Sequence, residues 1–165
     1  KTKRRITVMR KIKKLVATLL AATMVMAMGV TAFAADSLAD GKYTAKQNLY
    51  KNSACTTTSM GDAALNDMRA EITIADDEAT LVVHTHEITY LGLTGHLGKM
   101  VVNGKTVTPK QTTTNGVTDY YFTFTGLDAS TIYEGCVITG KFTTYVGSMP
   151  MNATGYLKLT DITAK

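Results

Sequence analysis

The chain has 165 residues, 45% of them hydrophobic, and a formal net charge of +5. That charge is concentrated in residues 1–14, which carry eight Lys or Arg and no acidic residue. Without this segment, ten Lys or Arg stand against thirteen Asp or Glu, a net charge of −3, so the rest of the chain has no basic surface for nucleic acid. Its length, about 130 residues, suits one domain with a single core.

Residues 1–34 have the order of a signal peptide. The basic segment is followed by an apolar run over residues 15–30 and by Ala32-Phe33-Ala34, a small-x-small cleavage site. Sixteen apolar residues are few for a bilayer span. We therefore expect an exported protein, secreted or held at the cell surface through a partner, whose mature chain covers residues 35–165 and has no stable membrane span.

The mature chain is dominated by period-two alternation and by Thr, Val, Ile and Tyr. The pattern predicts an all-β fold, a two-sheet sandwich of about eight strands. Asn103-Gly104 predicts a type I′ hairpin turn, because these residues readily adopt the two positive φ angles that this turn requires. The polar segment 111–116 is predicted to be a mobile loop. The predicted strands are residues 42–49, 69–74, 79–86, 99–102, 105–108, 118–125, 136–146 and 155–160.

Residues 59–65, Ser-Met-Gly-Asp-Ala-Ala-Leu, predict a short helical lip between the first two strands. Ser59 can accept a hydrogen bond from a backbone N–H two or three residues on, and Asp62 places a carboxylate in the first turn. The Ala-Ala-Leu sequence that follows favours helix.

With the strands around it, this lip resembles the first third of a NEAT (near-iron-transporter) domain. The resemblance covers most of the mature chain, and NEAT domains are immunoglobulin-like sandwiches. They bind heme, or proteins that carry it, outside the cell of Gram-positive bacteria. The resemblance thus implies an exported protein of heme or iron acquisition with heme as its cofactor and heme, a hemoprotein or another cell-surface protein as its partner. Its further motifs are residues 38–44, 92–98, 121–124 and 156–159.

NEAT domains hold heme between the lip and the hairpin of the last two strands, where a Tyr ligates iron and a second Tyr four residues later supports it. The corresponding hairpin, residues 145–156, lacks this pair, and its alignment puts Met149 at the ligand position and Ala153 at the supporting one. A thioether is a neutral, soft ligand that favours ferrous iron. We therefore expect a methionine-lined pocket in which Met60 lies opposite Met149 or Met151, one of these two ligating iron.

Other residues give alternatives for this pocket. Ser59 would line it at the positive end of the lip, near the heme propionates. Tyr145 and Tyr156 become ligands if the hairpin register is displaced, since a one-residue slip turns every side chain to the other face. Alternatively, the methionines only fill gaps in an apolar surface, and the domain is a protein-binding or adhesive surface module without heme.

The two cysteines and the three histidines could each have either a structural or a chemical role. Cys55 and Cys136 can form a disulfide in an exported protein, or stay free thiols. His84 and His86 project from the same face of one strand, as zinc ligands sometimes do, but no third ligand of recognisable spacing follows, and His96 stands in a Gly-rich loop. The sequence has no nucleophile elbow, phosphate loop or Cys-His motif of known spacing, and therefore predicts a binding protein rather than an enzyme.

Overall fold

A computed structural model describes residues 37–90 and 92–165, and the predicted signal peptide lies outside these residues. The described chain is all-β, as predicted, and its two 3-10 helices are the lip (Met60–Ala64) and Ala129–Thr131. The strands are β1 (Gly41–Tyr50), β2 (Arg69–Ala75), β3 (Glu78–His86), β4 (Ile88–Tyr90), β5 (Leu93–Val102), β6 (Lys105–Val107), β7 (Lys110–Thr114), β8 (Val117–Asp128), β9 (Val137–Val146) and β10 (Met149–Ala164).

The core is built from alternate residues of the long strands. In β3, for example, Leu81 and Val83 are buried, whereas Val82 between them is partly exposed. Strands β1, β2, β8 and β10 follow the same pattern, and their buried side chains form one hydrophobic cluster. Each large apolar side chain buried in this way contributes about 1.5–3 kcal/mol, so the period-two pattern read from the sequence is also the main source of stability.

The strands form one continuous antiparallel sheet rather than two separate ones. Its order is β4-β5-β9-β10-β1-β2-β3-β8-β7, with β6 paired to β5. The sheet folds over itself in a sandwich-like arrangement, because β5 contacts β3, β6 contacts β8, and the lip contacts both β1 and β5. A register shift between Thr44 and Lys46 interrupts the β1–β10 pairing near the middle of the sheet.

One cluster of polar groups supports that irregular point. Asp161 has a φ of 52°, and its carbonyl oxygen accepts a hydrogen bond from Arg69 Nη2 at 2.7 Å. The Glu134 carboxylate accepts from the backbone N–H groups of Asp161 and Ile162, each at 2.9 Å. Arg69 and Lys46 beside Asp161 lower the pKa of its carboxyl group. The backbone groups that the shifted register leaves without a strand partner are thus bound by side chains.

The prediction of a mobile loop over residues 111–116 is wrong. Strand β7 occupies most of this segment and pairs with β8 through a turn at Asn115-Gly116, whose φ angles are 53° and 80°. The predicted turn at Asn103-Gly104 has closely similar angles, 49° and 74°. All five residues of β7 are exposed, so this edge strand lacks the apolar alternation that identifies half-buried strands in a sequence.

Of the two alternatives for Cys55 and Cys136, the structure has the free thiols. The backbone of Cys136 is hydrogen-bonded to that of Leu159, which pairs with Gln47 of β1, so Cys136 lies two strands away from β1. Cys55 lies in the loop beyond the end of β1. Two strand spacings are about 10 Å, more than the roughly 7 Å of Cα separation that a disulfide tolerates. Burial raises the pKa of the Cys136 thiol.

Within the described part of the chain, no helix has the length and apolar character needed to cross a membrane.

Candidate functional site

The lip begins as its sequence predicts. The Ser59 hydroxyl accepts a hydrogen bond from the backbone N–H of Gly61 at 3.3 Å, and the Ser59 N–H donates to the carbonyl oxygen of Leu49 at 2.8 Å. Ser59 therefore closes the start of the helix and also ties it to the end of β1. Met60, the next residue, is 70% exposed.

Asp62 fastens the lip to β1 from inside. Its side chain is buried, and it accepts a hydrogen bond from the backbone N–H of Leu49 at 2.6 Å. The side-chain amides of Asn48 and Asn66 each donate to it at 3.3 Å. The sequence predicts that this carboxylate stabilises the first helical turn. In the structure it also accepts hydrogen bonds from polar groups at the end of β1.

The lip rests on two leucines, one from each half of the folded sheet. A Cβ placed on Gly61 would lie 3.3 Å from Leu49 Cδ2 and 3.8 Å from Leu97 Cδ2. Leu49 belongs to β1 and Leu97 to β5, and both are buried. Gly61 thus allows the lip backbone to approach the ends of both strands closely.

The β9–β10 hairpin brings its methionines to the same end of the molecule as the lip. Leu97 pairs with Thr144 of β9, and Thr144 pairs with Met151 of β10. Directly paired residues point to the same face of a sheet, so Met151 shares a face with Leu97, two strand spacings or about 10 Å away. Met149 lies two residues from Met151 and points to this face as well.

We call Met60, Leu93, Met149 and Met151 the open-end patch. Leu93 joins it because Gly95, two residues on, pairs with Val146, the partner of Met149. The four side chains are 52–70% exposed and account for four of the six large exposed hydrophobic residues in the described part of the chain. Exposed apolar side chains gathered in one place mark binding sites more often than scattered ones do.

The remaining predicted pocket residues lie elsewhere on the hairpin. Tyr145 pairs with Pro150, so it points to the face opposite to Met149 and Met151. Tyr156 pairs with Tyr50 and alternates with the buried Leu157, so it too points away from the core face. The structure therefore brings Met60, Met149 and Met151 to one end, and it turns both tyrosines away from that face.

An aromatic cluster beside the hairpin was not anticipated from the sequence. His96 lies in β5, not in a loop, and its ring stacks on Tyr145 with centroids 5.3 Å apart and on Tyr120 at 4.8 Å. The Tyr120 hydroxyl donates to Glu87 Oε1 at 2.7 Å. A detectable signal was the alternation Leu93-x-Gly95-x-Leu97, which indicates a strand through His96.

Tyr120 should ionise at a higher pH than an ordinary tyrosine. Its burial, followed by the hydrogen bond to Glu87, raises its pKa to about 12. Because the unfolded value is about 10, the fold should lose stability as the pH rises above 10, where only the unfolded chain releases this proton. A spectrophotometric phenol titration should show a late step that disappears in Tyr120→Phe. Retention of that step in the variant would contradict the assignment.

The histidines of β3 make local contacts. His86 Nε2 lies 3.0 Å from Asp67 Oδ1, and its Nδ1 contacts the carbonyl oxygen of Glu87. The His84 ring lies 6.3 Å from that of Tyr121, measured between centroids. Across residues 37–90 and 92–165, no group of three or more His, Cys, Asp or Glu could hold a metal ion.

A cavity of about 370 Å³ lies at the opposite end of the molecule from the lip. It is next to the start of β1, and Asp40, Asp77 and Asp128 contribute three carboxyl groups to its lining. Hydrogen bonds from the hydroxyl and backbone N–H of Ser130 lower the pKa of Asp128, which favours its charged form. This acidic cavity would repel a ligand that carries carboxylates, so it is a poor site for heme.

Neither a scan against protein-family models nor a search of curated proteins finds a match for the chain. The resemblance to NEAT domains therefore stays a prediction from sequence motifs, and the functional proposal rests on the geometry of the open end.

Proposed function

We propose that the protein is an exported heme-binding protein of heme or iron acquisition, and that the ligand lies at the open end between the lip and the β9–β10 hairpin. The observation that carries the proposal is the location of three exposed methionines. Met60 stands on the lip, and Met149 and Met151 stand on the hairpin, at the same end of the fold. In this proposal the three side chains supply soft thioether ligands from two separate elements.

The exposed side chains at the open end suit a flat, apolar ligand. Leu49 and Leu97 are buried beneath the lip and support it, and Leu93 extends the exposed apolar surface beyond Met149. Met60 would hold one side of the ligand, and Met149 or Met151 the other. When bound, a heme iron with thioether ligands favours the ferrous state, because a thioether is neutral and soft. Ala153, which stands where NEAT domains have their supporting Tyr, leaves no phenol on this face.

Titration of the purified protein with ferric and with ferrous heme tests the proposal. We expect a shifted Soret band in at least one redox state, with tighter binding in the ferrous state. Met60→Ala, and the double change Met149→Ala with Met151→Ala, should each weaken binding by more than about tenfold, or 1.4 kcal/mol.

Val137→Ala provides a matched control. Val137 is also an exposed apolar residue, but it lies at the far end of β9 and pairs with Lys158 on the other face of the sheet. Its replacement should leave the titration unchanged. Absence of a Soret shift in both redox states, or equal effects of the methionine variants and this control, would contradict heme binding at the open end.

The open-end patch also favours a second candidate function, a protein-binding surface module without heme. Its four exposed apolar side chains could be buried against another protein. Binding of this kind would not need any of them to ligate iron. Colourless protein from heme-fed cells that still retains hemoglobin in a pull-down would favour this alternative, and Leu93→Ala should then reduce retention.

A further inference from the structure

The part of the hairpin that carries Met149 and Met151 has few backbone contacts outside the hairpin itself. Residues 149–153 pair with β9, but the β1–β10 pairing reaches only as far as Tyr156 with Tyr50. The other edge of this segment has no strand partner in the described chain. Its position must therefore follow that of β9, which is held by β5.

Side chains strengthen this attachment at one point. The pairing of His96 with Tyr145 joins β5 to β9, and the two rings are stacked with an interplanar angle of 19°. His96 also stacks on Tyr120 at an angle of 7°, and Tyr120 belongs to β8, in the other half of the folded sheet. The rings thus connect the methionine hairpin to a strand with which it shares no backbone pairing.

Two glycines of β5 make room for Tyr145. A Cβ on Gly98 would overlap the Tyr145 ring, and a Cβ on Gly95 would lie 3.0 Å from the Tyr145 carbonyl oxygen. Any larger residue at Gly98 would push the ring out of this position. The two glycines therefore leave space for the Tyr145 ring, and the close contacts around them restrict where this ring can lie.

We propose that Tyr145 is a positioning residue: its stacking on His96 fixes the β9–β10 hairpin against the rest of the fold and so sets where Met149 and Met151 stand relative to the lip. The functional part of this inference rests on the proposed heme site, whereas the mechanical part concerns the protein alone. Tyr145 acts through its ring rather than its hydroxyl, and through the hairpin rather than through direct contact with the ligand.

Hydrogen exchange on the protein without heme tests the mechanical part. Tyr145→Ala and Gly98→Ala should each increase amide exchange across residues 144–151 by about fivefold, since aromatic pairs are worth about 1 kcal/mol beyond the area they bury. Tyr145→Phe keeps the ring and should exchange like the unchanged protein. Amides of the β2–β3 pair report whether each variant is folded and should not change.

Unchanged exchange of the hairpin in Tyr145→Ala would overturn the proposal. Equal acceleration in Tyr145→Phe would also overturn it, because the hydroxyl would then be the essential group. If Tyr145→Ala fails to fold, Gly98→Ala and His96→Ala make the same comparison from the β5 side of the stack.

Heme titration of the same variants tests the functional part. Tyr145→Phe should keep the Soret position and affinity of the unchanged protein, and Tyr145→Ala should bind about tenfold more weakly with a broadened band. Loss of the Soret band in Tyr145→Phe would identify Tyr145 as an iron ligand and would refute the positioning role. If no variant and no unchanged protein binds heme, the proposed function fails, but the exchange result still decides the mechanical role.

Discussion

Replacement of Gln47 by Glu is expected to lower the free energy of unfolding by about 3 kcal/mol or more at pH 7.5. Gln47 is fully buried, and its Nε2 donates to the carbonyl oxygens of Leu65 and His84. A glutamate carboxylate has nearly the same shape but cannot donate. It would place a buried negative charge against two carbonyl oxygens, just below the point where the lip ends.

The cost of this replacement should depend on pH. Burial raises the pKa of the introduced carboxyl group in the folded protein above its unfolded value of about 4.3. Below that value both states are protonated and the penalty is smallest. The penalty then grows as the pH rises, until the pH passes the folded pKa.

Urea unfolding at pH 4, 6 and 7.5 measures this dependence. Gln111→Glu is the matched control, because Gln111 is exposed on the edge strand β7, and its effect should stay within about 0.5 kcal/mol at every pH. Similar unfolding curves for the two variants would show that the Gln47 side chain is not buried against these carbonyl groups.

Asp62→Ala is expected to cost about 2–3 kcal/mol, because it leaves the Leu49 N–H and the amides of Asn48 and Asn66 without their acceptor. The loss should be local as well as global, since the lip would no longer be tied to β1. Denaturant unfolding should show the lower stability, and amide exchange should accelerate in residues 59–65.

Asp62→Asn is the matched variant for this site. It keeps one oxygen that can accept from Leu49 and Asn48, but it puts an NH2 group where the second oxygen accepts from Asn66, so it should recover only part of the lost stability. An alanine variant with unchanged exchange in the lip would contradict the anchoring role of Asp62.

Most of the strands were predictable from the sequence because their burial alternates. All eight predicted segments fall on observed strands, and the turn at Asn103-Gly104 follows from backbone preferences alone. The missed strands, β4 and β7, are a three-residue segment and an exposed edge. One is too short and the other too exposed to show the alternation of apolar and polar residues by which a strand is recognised in a sequence.

The local elements of the candidate site were predictable from the sequence, but the buried hydrogen bonds that hold these elements in place were not. The lip and its Ser59 cap follow from local residue preferences, whereas the buried roles of Asp62 and Gln47 depend on groups that distant segments bring to them. The position of Gln47 between the buried Ala45 and Leu49 was a signal of a buried amide. The stacking of His96 on Tyr120 and Tyr145 depends on the folding over of the sheet, which no local pattern reports.

The pairing of β1 with β10 has a consequence for how the chain reaches its fold. Thr44 and Thr163, which pair across the centre of the sheet, are 119 residues apart in the sequence. Contacts of such high contact order form late and slowly, because a long loop must close before they contribute any stability. During synthesis, the sheet cannot close at its centre until the last strand has left the ribosome, so a chain that ends before residue 149 should remain an incomplete, aggregation-prone intermediate.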